Sequence, residues 1–570
     1  MPVESTRGGA GVLRAAALPL LAIAGGVLLA VLARIYRDWI AADPVPNWDE
    51  ALHLLLGELL AADLRHGDLW ALAYDVYRMS TWPPLHATML ALVFLVTGPS
   101  MVAGRLLSWF SFAGLAGVTG ILAHRLAPKP NAVAPAVAVV LLATCTPLAP
   151  FAGQAMLECP GLLLFTATLV AFDIDARRHA SPATQVGLAA ASIATYLVRL
   201  NYGLLVVMAL LVDTIASVPA IGLRSTWRRR RVVAALWICF LAIWFAHPVK
   251  LLATWRTLVN APFIPPTGAP KGPLFAAWAM AETVGWPMVF GLVVVLLSWR
   301  AWRANSSLCF LVLVTGLQLL LVAFHQSKVI RHVFPVVPAL AILCAWLAAY
   351  WAGRASDRQR SPALGWIVLA LFLLLAGYRL AISLDRLARP RALVANKEWR
   401  QIGAAVARLA NGAKFLLVAD SRLAAVEPPG LDWQLAGELG VLDPSRAGAL
   451  GEVGRGDAAE RLLRQLDRRG LALPAAKRAV RRSVASDRSR SLYVAAPLEA
   501  RPNSSLLAIE KLLVQVKIDR FNTTILVSNP ALPQPLTTLV TRRGFAPSGR
   551  INVAGVYIER FDLAQEKVQN

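Results

Sequence analysis

The sequence predicts a polytopic α-helical membrane protein of about eleven transmembrane helices, followed by a soluble α/β domain. Three observations predict it. The chain of 570 residues is 57% hydrophobic with a mean hydropathy of +0.57, more apolar residue than a soluble core can use, and it is gathered in runs of about eighteen or more. The densest basic clusters, Arg224 to Arg231, Arg300 to Arg303 and Arg354 to Arg360, lie directly between those runs. Beyond Leu384 hydrophobicity falls and charges interleave. A net charge of +24 would suit nucleic acid, but basic clusters placed between apolar runs read as cytoplasmic anchors. No nucleic-acid partner is expected.

The first run, 15–35, follows Arg7 and Arg14. It reads as a retained helix and not a cleaved leader, because it is long, lacks small-residue cleavage geometry and precedes many further spans. Other runs lie near 83–99, 102–124, 132–150, 160–175, 184–200, 202–219, 232–249, 277–298, 307–324, 333–352 and 362–383. With the N-terminus inside, the loops bearing Arg125, Arg177, Arg224 to Arg231, Arg300 and Arg354 all fall inside only if one of the first three runs does not cross. Segment 83–99 is short, begins Trp82-Pro83-Pro84 and ends Gly98-Pro99, so it is assigned as re-entrant or interfacial. Parity then places four regions outside: 35–101, Gln154 to Glu158, 250–275 and His325 to His332. Arg199-Leu200-Asn201-Tyr202 falls at an outer helix end, so polar groups far apart in sequence converge on one face.

Residues 1–383 thus form a membrane domain with a first outer loop at 36–101, and residues 384–570 a soluble domain. In the latter, strand-like runs starting at Lys414, Ser491 and Thr523 alternate with Arg-rich helical stretches. Parity puts this domain outside as well. Gly451-Glu-Val-Gly-Arg-Gly follows no strand and lacks the Lys-Ser/Thr pair of a phosphate loop, so it reads as a surface turn. The five cysteines are dispersed in or beside apolar segments without metal-ligand spacing and read as small core residues.

The most informative stretch is Pro44-Val-Pro-Asn-Trp-Asp-Glu-Ala-Leu-His-Leu, which sets two adjacent carboxylates, Asp49 and Glu50, just beyond the first run. Leu52, Leu55, Leu56, Leu59 and Leu60 follow at helical spacing, predicting an amphipathic helix on the membrane surface. A capping box with Asn47 as N-cap and Glu50 three residues on would explain the acids structurally. The loop is acidic throughout, however, and Asp49 shares a helical face with His53. A carboxylate at an apolar boundary is desolvated, which raises its basicity toward that of a general base.

Asp-Glu opening a helix in the first outer loop, then Trp82-Pro83-Pro84-Leu85, then Gly98-Pro-Ser with Arg105-Leu106, then Lys328, Arg331-His332, Pro335 and Pro338, resembles the integral-membrane GT-C glycosyltransferases. Within them it is most similar to the branch of protein O-mannosyltransferases and lipid A aminoarabinose transferases. The likeness spans about residues 10 to 350. It implies a sugar donor carried on a polyprenyl phosphate, an acceptor that is a lipid, glycan or protein, and a multi-pass location in the plasma (inner) membrane with the active site extracytoplasmic. It also implies that the first-loop acid, Asp49, is catalytic.

Such a donor needs little from the protein. Its leaving group is already a stable anion, so one carboxylate acting as base on the acceptor hydroxyl suffices, with cations for the phosphate. Asp49 is the expected base, Glu50 the alternate, and Glu158 a second acid where relatives more usually carry Asp; a helix-start carboxylate before Pro160 is its structural alternative. Arg331, Lys328 and Arg199 are the expected phosphate ligands, although arginines at helix ends also snorkel to headgroups. His53, Trp82 and His332 are candidates for substrate contact, and tryptophan is also common at membrane interfaces. His325 and His332, seven apart with no nearby acid, do not make a metal site; no metal or cofactor is expected. Two other readings stand beside this one: a transporter or flippase for lipid-linked sugars, which would place ionisable residues mid-helix, and a metal-dependent oligosaccharyltransferase-like enzyme, which would want a second acidic cluster.

Overall fold

A computed structural model describes residues 17–42, 48–79, 83–128, 132–178, 180–246, 251, 254–255, 269–270, 272–325, 329–358, 362–387, 405, 408–409, 415–420, 492–496, 523–528, 541, 545–553 and 556–563. The chain divides into two compact units. One comprises Met1–Ala42, Met79–His86 and Arg105–Pro390; the other comprises Asp43–Arg78, Ala87–Gly104 and Arg391–Asn570.

The described helices are α1 (Ala17–Ile35), α2 (Trp48–Arg65), α3 (Leu69–Arg78), α4 (Leu85–Thr97), α5 (Met101–Leu126), α6 (Val133–Ala143), α7 (Glu158–Arg177), α8 (Pro182–Val198), α9 (Leu200–Ile221), α10 (Leu223–Trp244), α11 (Leu274–Val284), α12 (Trp286–Leu297), α13 (Ser306–Phe324), α14 (Val336–Arg358) and α15 (Pro362–Leu387). Every apolar run read from the sequence carries a helix. Among the described residues six helices are long and apolar enough to cross a membrane, and a seventh span results if α11 and α12 count as one. At 13 residues α4 is about 20 Å long, too short to cross a hydrocarbon layer of about 30 Å upright.

The run at 277–298, read from the sequence as one crossing, contains a sharp break. It is two helices, α11 and α12, turned by 115°. Gly285 sits at φ +77°, open to glycine at little cost, and Pro287 follows in the first turn of α12, where a missing N–H is harmless. Arg379 of α15 reaches this break. Its Nη1 donates to the Val284 carbonyl at 2.9 Å and its Nε to Thr144 Oγ1 at 2.9 Å, so one buried guanidinium caps the C-terminal ends of α11 and α6.

Helix α14 runs through the middle of the first unit. Its residues Val336, Val337, Ala339, Leu340, Ala341, Ile342 and Leu343 are fully buried, as expected of a helix apolar all round. Small residues recur along α6 and α14 and let backbones approach, the main means of packing helices in lipid. Polar side chains add cross-links: Trp109 Nε1 donates to the Leu32 carbonyl at 2.9 Å, Trp237 Nε1 to Ser192 Oγ at 2.9 Å, and Thr168 meets Thr195 at 3.0 Å.

The C-terminal end of α7 holds a charge network. Asp173 accepts from Arg125 and Arg177, each at 2.8 Å, and from Ser307 at 2.9 Å. Arg230 bridges Asp175 and Asp213 at 2.8 Å each, and Thr184 donates to Asp175 at 2.7 Å. These carboxylates are buried or nearly so, and each meets a partner, as low polarity demands.

In the second unit Gly57 of α2 packs on α4: a Cβ there would lie 2.6 Å from Leu90 Cβ. Arg65 donates to the Phe94 carbonyl at 2.6 Å, closing the far end of the same contact. The C-terminal part of this unit contains a five-stranded sheet of order β2-β1-β3-β5-β4, made of β1 (Phe415–Asp420), β2 (Leu492–Ala496), β3 (Thr523–Ser528), β4 (Phe545–Val553) and β5 (Val556–Leu563). β1 pairs in parallel with β2 and β3, while β5 pairs antiparallel with β3 and β4. Strands β1 to β3 coincide with the three runs read from the sequence. The β4–β5 hairpin was not foreseen, because Pro547-Ser548-Gly549 interrupts the alternation; the ladder shifts register there, and β4 is an edge strand, where proline is tolerated.

Candidate functional site

Three of the residues singled out in the sequence meet in the first unit. Glu158 opens α7, where the positive end of the helix dipole favours a carboxylate, and it is fully buried. The turn before it is fixed from below: Ser108 Oγ donates to the Met156 carbonyl at 3.0 Å and accepts from the Met156 N–H at 3.2 Å. Gly153 lies so close to Trp39 that a Cβ would stand 2.4 Å from its Cβ, so glycine is required there.

Arg199 is the single extended residue between α8 and α9, at φ −146° and ψ 108°. The sharp turn it makes depends on Gly203, whose Cβ would fall 2.4 Å from Tyr196 Cα. Arg199 Nη1 stands 2.5 Å from Glu158 Oε1. The contact is ionic and lacks the alignment of a hydrogen bond. Arg199 Nε donates to Asn201 Oδ1 at 3.2 Å, and its guanidinium lies 4.8 Å from the centre of the Tyr202 ring, a cation–π contact.

Arg331 completes the group. It lies on a single 3₁₀ turn, Ile330–Val333, and its Nη1 is 3.7 Å from the same Glu158 oxygen. That turn is anchored by Gln318, whose side-chain amide donates to the His332 carbonyl, and by Phe334 packed edge-on to Phe151 at 5.3 Å. Two guanidinium groups against one carboxylate leave the cluster with a net charge of +1, held in an apolar bundle. Such a cluster attracts an oxyanion far more strongly than the same charges would in water.

The other candidates stand as follows. His332 lies edge-on to His325, with ring centroids 5.6 Å apart. Asp49 is the second residue of α2, and its side chain lies outside the described residues, as do Asn47, Trp82 and Lys328. Glu50 and His53 are buried on α2 and belong to the second unit. Glu58, one of the loop acids, is half-buried, and desolvation pushes its carboxyl above the usual range despite the opposing pull of Arg65. Among the described residues no group of three or more His, Cys, Asp or Glu side chains could hold a metal ion. Tyr202 and Gly161 received no role in the sequence reading. The i, i+3 spacing of Arg199 and Tyr202 was the available signal.

This geometry can be set beside known proteins. No protein-family model matches the sequence, and a comparison with curated proteins gives no match. Solved structures do match. ArnT from Cupriavidus metallidurans superposes with a TM-score of 0.52 both in the apo state and bound to undecaprenyl phosphate, at 15% and 14% identity, covering 94% of this chain and 98% of that one. The apo oligosaccharyltransferase of Archaeoglobus fulgidus superposes with a TM-score of 0.52 at 11% identity, over 74% of this chain and 64% of that one. Both are GT-C proteins. The chain has the GT-C fold. The expectation from its motifs is thereby borne out at the level of fold, over nearly the whole chain and not only the first 350 residues. With its long apolar helices, the chain is a multi-pass membrane protein.

Proposed function

We propose that this protein transfers a sugar from a polyprenyl-phosphate donor to a hydroxyl of a lipid, glycan or protein acceptor on the extracytoplasmic face of the membrane. The observation that carries the reading is the meeting of two guanidinium groups, Arg199 and Arg331, on the buried carboxylate of Glu158, set in a GT-C fold. A phosphate head group needs cations at a membrane edge, and a lipid-linked donor explains why they stand at helix ends and not mid-helix, where a flippase would place them. ArnT, with the same fold, has been captured with undecaprenyl phosphate.

In the proposed reaction Asp49 accepts the proton of the acceptor hydroxyl. The acceptor oxygen bonds to C1 of the sugar as the bond from C1 to the phosphate oxygen breaks. The electron pair leaves with the polyprenyl phosphate, whose charge Arg199, Arg331 and Lys328 neutralise; Glu158, met by both arginines, offsets their mutual repulsion. No acid is needed for such a leaving group. A single displacement of this kind inverts the anomeric centre. Glu50 is the alternate base, and His53, Trp82 and His332 are the proposed substrate-binding residues. The C-terminal domain is read as extracytoplasmic too, a reading supported by its falling in one compact unit with most of the first outer loop.

The test uses purified full-length protein in detergent with a radiolabelled polyprenyl-phosphate sugar. Release of free polyprenyl phosphate is expected, and Asp49→Asn is expected to lower it at least a hundredfold with unchanged expression. Full turnover by that variant removes Asp49 as the base. Turnover that persists in excess EDTA separates this reaction from a metal-dependent oligosaccharyltransferase-like one.

A further inference from the structure

Tyr202 is fully buried at the start of α9, and its hydroxyl has no hydrogen-bond partner among the described residues. Burying a hydroxyl unsatisfied costs stability that a phenylalanine of the same shape would not. Packing alone therefore does not account for a tyrosine here. The ring is held on three sides: Arg199 over one face at 4.8 Å, Phe165 tilted against it with centroids 6.2 Å apart, and Gly161 so near that a Cβ would sit 3.3 Å from the ring carbons. The phenol is thus held beside the guanidinium groups that meet on Glu158, Arg199 at 2.5 Å and Arg331 at 3.7 Å.

We propose that the Tyr202 hydroxyl donates a hydrogen bond to a phosphate oxygen of the lipid carrier, making Tyr202 the residue that separates a polyprenyl phosphate from a neutral polyprenol. This rests on the polyprenyl-phosphate reading above. A tetrahedral oxyanion offers more acceptor positions than two guanidinium groups fill, and a rigid neutral donor adds selectivity without adding charge. An O–H aimed at an anion distinguishes the phosphate from an alcohol, because the alcohol is a weaker acceptor and brings no charge to Arg199 and Arg331. Tyr202 is a binding residue in this role and exchanges no proton.

The experiment measures, on full-length protein in detergent, affinity for undecaprenyl phosphate and for undecaprenol. Their ratio is read within each protein, so it does not depend on the folded fraction. Tyr202→Phe is expected to lower that ratio about tenfold, as for one lost hydrogen bond to a charged group, with thermal unfolding within a few degrees of wild type. An unchanged ratio overturns the proposal. Should Tyr202→Phe not purify, 3-fluorotyrosine at the same position, a stronger donor with the same ring, is expected to raise the ratio; no rise overturns the proposal equally. A wild-type protein that does not prefer the phosphate lipid fails differently, because it removes the donor reading itself.

Discussion

Glu158 decides how the cluster behaves toward an anion, because it cancels one of two positive charges. Replacing it by Gln removes that cancellation while keeping the shape. Glu158→Gln should therefore lose about 3 kcal/mol of stability yet gain more in Tm than wild type on adding undecaprenyl phosphate. Arg331→Ala, which brings the cluster to neutrality, should weaken binding of the same lipid about tenfold or more. Thermal shifts across a lipid titration read both, and shifts of the same sign in the two variants would deny the cluster its electrostatic role. Glu58 offers a separate, pH-dependent test. Its folded-state carboxyl is raised by burial, so the folded chain holds that proton more tightly than the unfolded one. The associated stability is full below about pH 4, the ordinary range of glutamate, and is lost as pH rises through the folded value. Glu58→Gln should raise Tm at pH 7 and leave it unchanged near pH 4, measured as unfolding curves at the two pH values.

At the scale of elements, the break between α11 and α12 shows what sequence reading reaches and what it misses. Hydropathy located the apolar run at 277–298 because side-chain composition is local. The 115° turn is capped by Arg379, 94 residues beyond Gly285, a partner that no window around the run contains. The same holds for the site. Glu158, Arg199 and Arg331 were legible as charged residues at helix ends, since charge is rare in apolar sequence. Their meeting on one oxygen was not, nor was the place of Tyr202 beneath Arg199, because these depend on glycines at 153, 161 and 203 that admit close neighbours. The β4–β5 hairpin escaped for the opposite reason, a bulge that broke the alternation of an otherwise ordinary strand. Arg379→Ala should leave the carbonyl end of α11 and the Thr144 hydroxyl unsatisfied in an apolar setting, a loss of about 2–4 kcal/mol. Gly285→Ala should cost about 1–2 kcal/mol, since alanine is strained at φ +77°. Thermal unfolding in detergent separates the two, because only Arg379→Ala should be partly rescued by lysine.

Across the membrane domain, charge is sorted along α7. Arg125, Arg177 and Arg230 gather at its C-terminal end around Asp173 and Asp175, whereas Glu158 stands at its first residue with Arg199 and Arg331. Fifteen residues of helix separate Glu158 from Asp173, about 22 Å, most of the depth of a hydrocarbon layer. Basic loops that converge on one end of a bundle are expected on its cytoplasmic side under the positive-inside rule, and the proposed function requires the opposite end to be the one that meets lipid-linked donors outside. Orientation is therefore the strictest condition on the proposed activity. It can be measured with single cysteines at exposed positions, in a background where Cys239 is serine: His66→Cys at the end of α2, Ser225→Cys among the arginines of α10, and Ser548→Cys in the C-terminal sheet. A membrane-impermeant maleimide applied to intact cells should label positions 66 and 548 and should reach 225 only after lysis. Labelling of 225 in intact cells, with 66 protected, would put the proposed base beside nucleotide sugars in the cytoplasm, where a lipid-borne donor has no advantage, and would end the reading of this fold as an outward-facing transferase.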